Sequence, residues 1–148
     1  MVFGSSWPTG VLPVHAVRSV DGAALQFIAE PSSLTPANGC RIADVDSSGA
    51  LLLICEDKPF LYTVANGAVA IEWPAGGHAL DISLDGKVLV GDSANQAFRK
   101  VGSTGTSLGV LEPGGDSQVS ATNGDGSVAV GYDHLTSAVA VRWTVLPD

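Results

Sequence analysis

The stretch SLDGKVLVGDS, Ser83 to Ser93, ends in Gly91-Asp92-Ser93, a setting in which a serine can serve as a hydrolase nucleophile. Such a serine needs a histidine base, supplied in that chemistry by a later Asp-x-x-His, and an asparagine for the oxyanion. The only Asp and His that lie close together downstream are Asp133-His134, whose spacing is wrong. No segment carries the helical period that an α/β hydrolase requires around its nucleophile. Aligned with the other repeat units described below, the slot holds Ile54-Cys55-Glu56 and Gly131-Tyr132-Asp133, so a hydroxyl is not a fixed feature there. Catalysis at Ser93 is not expected, and the chain is read as having no catalytic residues.

The other candidates also favour structure over chemistry. NGDGS, Asn123 to Ser127, places oxygen-bearing side chains at alternate positions, but the glycine and the bidentate acid of a calcium loop fall in the wrong places. SLDG and SVDG resemble the Asp-box of sialidase-like propellers, yet Gly follows Asp directly and the aromatic is missing. His15, His78 and His134 are scattered and read as half-buried polar-tipped residues, so neither a metal nor a cofactor is expected. Cys40 and Cys55 match no zinc or Cys-x-x-Cys pattern. A four-residue loop at Asp46 to Gly49 would set them directly opposite each other, and a two-residue loop at Ser48-Gly49 would set them diagonally. Both registers leave them on one face, open to a disulfide or to two buried thiols. Trp7, Trp73, Tyr132 and Trp143 recur near strand ends, where aromatics pack repeat against repeat or offer a surface to a protein or glycan.

The elements that position these residues follow from composition and pattern. The chain has 148 residues, 45% hydrophobic and only 15% charged, with 18 glycines and 8 prolines spread throughout. That mix suits one domain, residues 1–148, of short strands joined by tight turns, with surface left over to bury against other chains. A net charge of -8 and scattered Lys and Arg argue against nucleic acid. The longest apolar run, ALLLIC at Ala50 to Cys55, is too short to enter a membrane, and MVFGSSWPTG lacks the pattern of a signal peptide.

A repeat organises the chain. AVRSVDGAALQF, IADVDSSGALLLI, ALDISLDGKVLVG and SATNGDGSVAVG are each two alternating apolar runs around a polar turn, with turn glycines at Gly22, Gly49, Gly86 and Gly126. Asp21-Gly22, Asp85-Gly86 and Asp125-Gly126 predict type I′ hairpins, with both central residues at positive φ. Third segments follow at PFLYTV, AFRKV and AVAVRWTV, and fourth ones at AVAIEWPAGG and SLGVLEPGG. The expected fold is all-β: four-stranded antiparallel units at about 11–39, 40–77, 78–117 and 118–148, arranged like propeller blades. Three blades and a fragment are foreseen, with residues 1–10 as a closing strand for the unfinished last unit, or with another copy completing the ring.

From Ala97 to Thr144 the order of features resembles the HAF-type extracellular repeat. The matching pieces are Ala97-Phe98, Leu108 to Leu111, Gly114-Gly115, Asn123 with Gly126, Val128 to Gly131, and Arg142-Trp143; Lys100 stands where that family has Trp. The resemblance implies a propeller-forming β repeat of bacterial surface or secreted proteins and supplies no catalytic residues. The functional expectation is a non-enzymatic structural or interaction module within a larger assembly, such as a virion decoration or tail component. Its partners would be proteins or copies of itself, in a virion or the cytoplasm. A surface module that recognises protein or glycan is the first alternative, and a channel-sited hydrolase the least favoured.

Overall fold

The computed structural model describes residues 2–6, 15–19, 26–28 and 40–145. Within them the chain forms strands and turns without a helix, gathered into four antiparallel sheets of three or four strands. Val2–Ser6 (β1), His15–Ser19 (β2) and Gln26–Phe27 (β3) pair in that order. Cys40–Val45 (β4), Leu51–Cys55 (β5), Lys58–Thr63 (β6) and Gly67–Ala70 (β7) form a second sheet. His78–Ile82 (β8), Val88–Ser93 (β9), Gln96–Val101 (β10) and Thr104–Gly109 (β11) form a third, and Asp116–Thr122 (β12), Val128–His134 (β13) and Ala138–Thr144 (β14) the last. Each sheet runs in chain order, as expected of short hairpins in sequence. The anticipated closing strand behaves differently: β1 pairs with β2, from Val2 opposite Ser19 to Ser6 opposite His15, and not with β14. Pairing with a sequence neighbour closes the shorter loop and loses the least chain entropy.

The Asp85-Gly86 and Asp125-Gly126 turns are not the expected two-residue hairpins. Ser83 N–H donates to the Val88 carbonyl and Gly86 N–H to the Ser83 carbonyl, leaving a four-residue loop of which only Gly86 has positive φ, at 75°. Asn123, Val128 and Gly126 repeat this pattern, with Gly126 at φ 72°. Asp85 and Asp125 therefore keep ordinary φ and act through their side chains. Asp85 Oδ1 accepts from the Ser83 hydroxyl and Lys87 N–H, and Asp125 Oδ1 accepts from Ser127 N–H. The shared signature is an oxygen-bearing residue three before the glycine: Asp46, Ser83 or Asn123. Its side-chain oxygen accepts the N–H of Ala50, Val88 or Val128 as the next strand begins. Asp21 and Gly22 lie outside the described residues.

Left-handed turns occur instead at the second hairpin of two units. Glu56-Asp57 joins β5 to β6 at φ 50° and 62°, and Ala94-Asn95 joins β9 to β10 at φ 49° and 63°. Positive φ at both central residues matches the right-handed twist of paired strands, which is why these sites accept it without glycine. Asn tolerates that region; Ala does not.

The first hairpins of the second, third and fourth sheets carry a β-bulge at the same place, leaving Ala43, Leu80 or Ser120 unpaired. The bulge decides the cysteines. A three-residue loop, Ser47 to Gly49, pairs Val45 with Leu51, and the extra residue at Ala43 then shifts the register so that Cys40 stands opposite Cys55. The two form a disulfide, both buried. Direct opposition is thus reached by a three-residue loop plus a bulge, not by a four-residue loop.

Three apolar cores lie between the sheets rather than inside any one of them. Leu51, Leu53, Cys55 and Phe60 pack with Ile28. Leu52 and Ile54, on alternate positions of β5, pack with Ala79, Ile82 and Leu89. Val88 and Val90 pack with Ala97, Val119 and Ala129. Strand β5 is buried on both faces, so its run LLLIC is continuous instead of alternating. Polar bonds keep the sheets in step. Asp44 Oδ2 accepts Ile82 N–H at 3.2 Å, and Asp81 Oδ2 accepts Thr122 N–H at 2.6 Å. The turns link the same sheets in the opposite sense, Ser47 N–H donating to the Leu84 carbonyl and Asp85 N–H to the Gly124 carbonyl.

Replacing Ala94 by Gly relieves a left-handed alanine and should raise stability by about 0.5–1 kcal/mol, read as a higher denaturant midpoint at unchanged slope. Opening the Cys40–Cys55 bond by double replacement with Ala frees a loop with a sequence separation of 15 residues. The expected loss is about 3 kcal/mol by chemical denaturation, and a variant as stable as the parent would show that the bond does not constrain the unfolded chain.

Candidate functional site

Where the last two sheets meet, four side chains form one hydrogen-bonded chain. His78 and Asp92 face each other across β8 and β9, and Gln118 and Tyr132 do so across β12 and β13. Asp92 Oδ1 lies 3.2 Å from His78 Nδ1 and accepts the His78 backbone N–H at 3.1 Å. Its other oxygen accepts from Gln118 Nε2 at 2.7 Å, and Gln118 Oε1 accepts from the Tyr132 hydroxyl at 2.7 Å. Asp92 is buried, with 7% of its surface exposed, and both of its oxygens are engaged. An Nδ1–H directed at the carboxylate leaves Nε2 as the free ring nitrogen of His78.

Packing holds this chain in place from behind. Trp73 Nε1 donates to the Asp92 carbonyl at 2.9 Å, and its ring meets Phe98 edge to face at 5.4 Å between centroids. Ser117, buried beside Gln118, accepts from Ala97 N–H and donates to the Gly109 carbonyl, tying β12 to the third sheet. Gly91 and Gly131 sit opposite the bulges, where a Cβ would collide with the His78 or Gln118 carbonyl, so the strands carrying Asp92 and Tyr132 approach their partners closely. The side chains border a cleft of about 460 Å³, also lined by Asn95, Asp116 and His134.

The repeat makes the composition of this chain informative. Counted from the turns, Arg41 and Ile54 occupy the positions of His78 with Asp92 and of Gln118 with Tyr132. Ile54 is buried in the core beneath the third sheet, so the fold accepts an apolar residue where Asp92 and Tyr132 stand. The shorter loop of the second unit also corrects the sequence alignment: the counterpart of Gly91-Asp92-Ser93 is Leu53-Ile54-Cys55.

The sequence-derived candidates part company here. Ser93 flanks the Ala94-Asn95 turn opposite Gln96, and the imidazole of His78 is held by Asp92. Trp73 and Trp143 are half-buried packing residues against the second and third cores, and only Tyr132, 41% exposed, presents a ring to solvent. Trp7 lies outside the described residues. His78 and His134 reach the same cleft, whereas His15 begins β2 in the first sheet. Asp92 and Gln118 were missed; the signal for both was the replacement of the Arg41 and Ile54 pair in the two later units.

A second polar site lies along the first strands, where Asp44, Asp81, Thr122 and Asn123 border a space of about 370 Å³. Burial, and then a hydrogen bond shared with Asp44, push the Asp81 carboxyl up to about 6. Among the described residues no group of His, Cys, Asp and Glu has the arrangement of a metal site. A further space, about 670 Å³ between the second and third sheets, is bordered in part by Leu61, Ile71, Ile82 and Leu89, which belong to or pack on the core itself. Against known proteins, no family model, curated sequence or solved structure matches the chain.

Because Asp81 binds its proton more tightly when folded, its contribution to stability is present below about pH 4 and is lost as the pH rises to about 6. Asp81→Asn keeps an acceptor for Thr122 and donates to Asp44 at every pH. The variant should be more stable than the parent at pH 7, by about 1 kcal/mol after solvent screening, and equal to it at pH 4. Thermal melts across that range measure the difference.

Proposed function

We propose that this chain is a non-enzymatic interaction module, built as a propeller-like stack of β sheets, that recognises a partner at the cleft of His78, Asp92, Gln118 and Tyr132. The observation that carries this reading is the internal contrast between units. A repeat that stacks well with Arg41 and Ile54 has no structural need for a four-member polar chain at the same positions, and polar groups retained where the fold accepts apolar ones serve binding. The likeness to HAF-type repeats over Ala97 to Thr144, where half of the cleft resides, supports a role at a surface. So does the Cys40–Cys55 disulfide, which persists in oxidising surroundings. Catalysis is left out because Ser93 closes a turn and Asp92, with both oxygens occupied, positions its neighbours.

A second reading, a subunit that stacks within a larger assembly, is favoured by the last sheet. Val130 is 42% exposed, whereas its counterparts Leu52 and Val90 are fully buried by the sheet that follows each of them. The piece that fits such a face is another sheet of the same construction, as a second copy could provide.

The recognition reading is tested by returning the last unit to the residues of the second, Arg41 and Ile54. Gln118→Arg with Tyr132→Ile should leave stability within about 1 kcal/mol of the parent, because the new guanidinium can donate to Asp92 in place of the Gln118 amide. A loss above about 2 kcal/mol in chemical denaturation would show that the polar chain is scaffolding and would overturn the proposal.

A further inference from the structure

We infer that the cleft takes an uncharged, polyhydroxylated ligand, a neutral sugar ring stacked on Tyr132, an inference that rests on the recognition reading above. Three features of the lining select this class. The first is the mixture of donors and acceptors. The carboxylate of Asp116 accepts, the outer ring nitrogen of His78 and the Asn95 amide meet a hydroxyl as donor or acceptor, and the Tyr132 hydroxyl, already donating to Gln118, accepts from a ligand. A hydroxyl group, donor and acceptor at once, can satisfy such a surface at several points, whereas an apolar ligand would leave these groups without water or partner.

The second feature is charge. Asp92 and Asp116 lie in the same cleft of a chain with net charge -8, which opposes phosphorylated, sulfated or carboxylated ligands. The acids do not form a cation site either, because both oxygens of Asp92 are spent on His78 and Gln118. The third is the fixed aromatic ring. Tyr132 is 41% exposed, yet its hydroxyl is anchored to Gln118, so the ring has little rotational freedom left to lose on binding. A cleft of about 460 Å³ is in the range that holds small ligands, and its rigid backing from Trp73 and Ser117 keeps the polar groups in register.

The test is a titration of the whole isotopically labelled chain, followed by amide chemical shifts. The probes are the methyl glycosides of glucose, galactose, mannose and N-acetylglucosamine, with glucuronate, glucosamine and inorganic phosphate as charged counterparts. At least one neutral glycoside should give saturable shifts centred on Asn95, Asp116, Gln118 and Tyr132, with the acidic probes giving none. Tyr132→Ala and Gln118→Ala should each weaken that binding by about tenfold or more while the remaining spectrum stays dispersed. Tyr132→Phe, which keeps the ring, should lose less, so the inference stays testable if an alanine variant unfolds. Shifts produced by glucosamine or phosphate in preference to every neutral glycoside, or by none of the probes, would overturn the sugar assignment. The recognition reading would then stand or fall on the stability of the Gln118→Arg, Tyr132→Ile variant alone.

Discussion

A three- or four-stranded sheet of this size cannot bury its own apolar face, and everything else in the molecule follows from the way consecutive sheets cover one another. Leu52 and Ile54 have no core until Ala79, Ile82 and Leu89 arrive, and Val88 and Val90 have none until Val119 and Ala129 do. Apolar contact is non-directional and would allow the sheets to slide. Direction comes from the carboxylates of Asp44 and Asp81, each accepting a backbone N–H from the first strand of the next sheet, and from the turn-to-turn bonds beside them. Stacking supplies the stability and the handover of hydrogen bonds supplies the register.

The β-bulges link this stacking to the site. An extra residue at Ala43, Leu80 or Ser120 breaks the alternation of the first strand just before the Asp44, Asp81 or Ala121 position, so residues on either side of the bulge can serve different neighbours. Beyond the bulge lie the acceptors that hold the next sheet; before it lie Arg41, His78 and Gln118. In the second unit that earlier stretch brings Cys40 onto Cys55. In the later units the same geometry places His78 across from Asp92 and Gln118 across from Tyr132, and the close packing of two sheets joins the pairs into one chain. One structural device thus closes a disulfide in one repeat and assembles a polar cleft in the others.

A polar chain of this kind is demanding. Asp92 is buried and carries three hydrogen bonds, so withdrawing any partner would leave charge desolvated inside the protein. Trp73 and Ser117 meet that demand by fixing the backbone on both sides, which gives the tryptophan a role in positioning as well as in packing. Of the two roles open to Trp73 and Trp143 in the sequence, packing repeat against repeat is the one their half-buried rings fill here, as large aromatic rings near strand ends do between twisted sheets. Tyr132, by contrast, is 41% exposed and keeps its ring in solvent.

The sequence by itself determined that the chain is all-β, that it repeats, where the hairpins turn, and that Gly86 and Gly126 must adopt positive φ. These are local properties: strand alternation, turn residues and glycine spacing act over a few neighbouring positions. Tertiary structure decided which hairpins are left-handed, placing that geometry at Glu56-Asp57 and Ala94-Asn95 instead of at Asp85-Gly86 and Asp125-Gly126. It also decided that a bulge sets Cys40 against Cys55, that β1 pairs with β2, and that Gln118 reaches Asp92 over a sequence separation of 26 residues. Bulges and inter-sheet bonds are chosen by the fit of whole sheets to one another, and that fit is not written in any single segment of the chain.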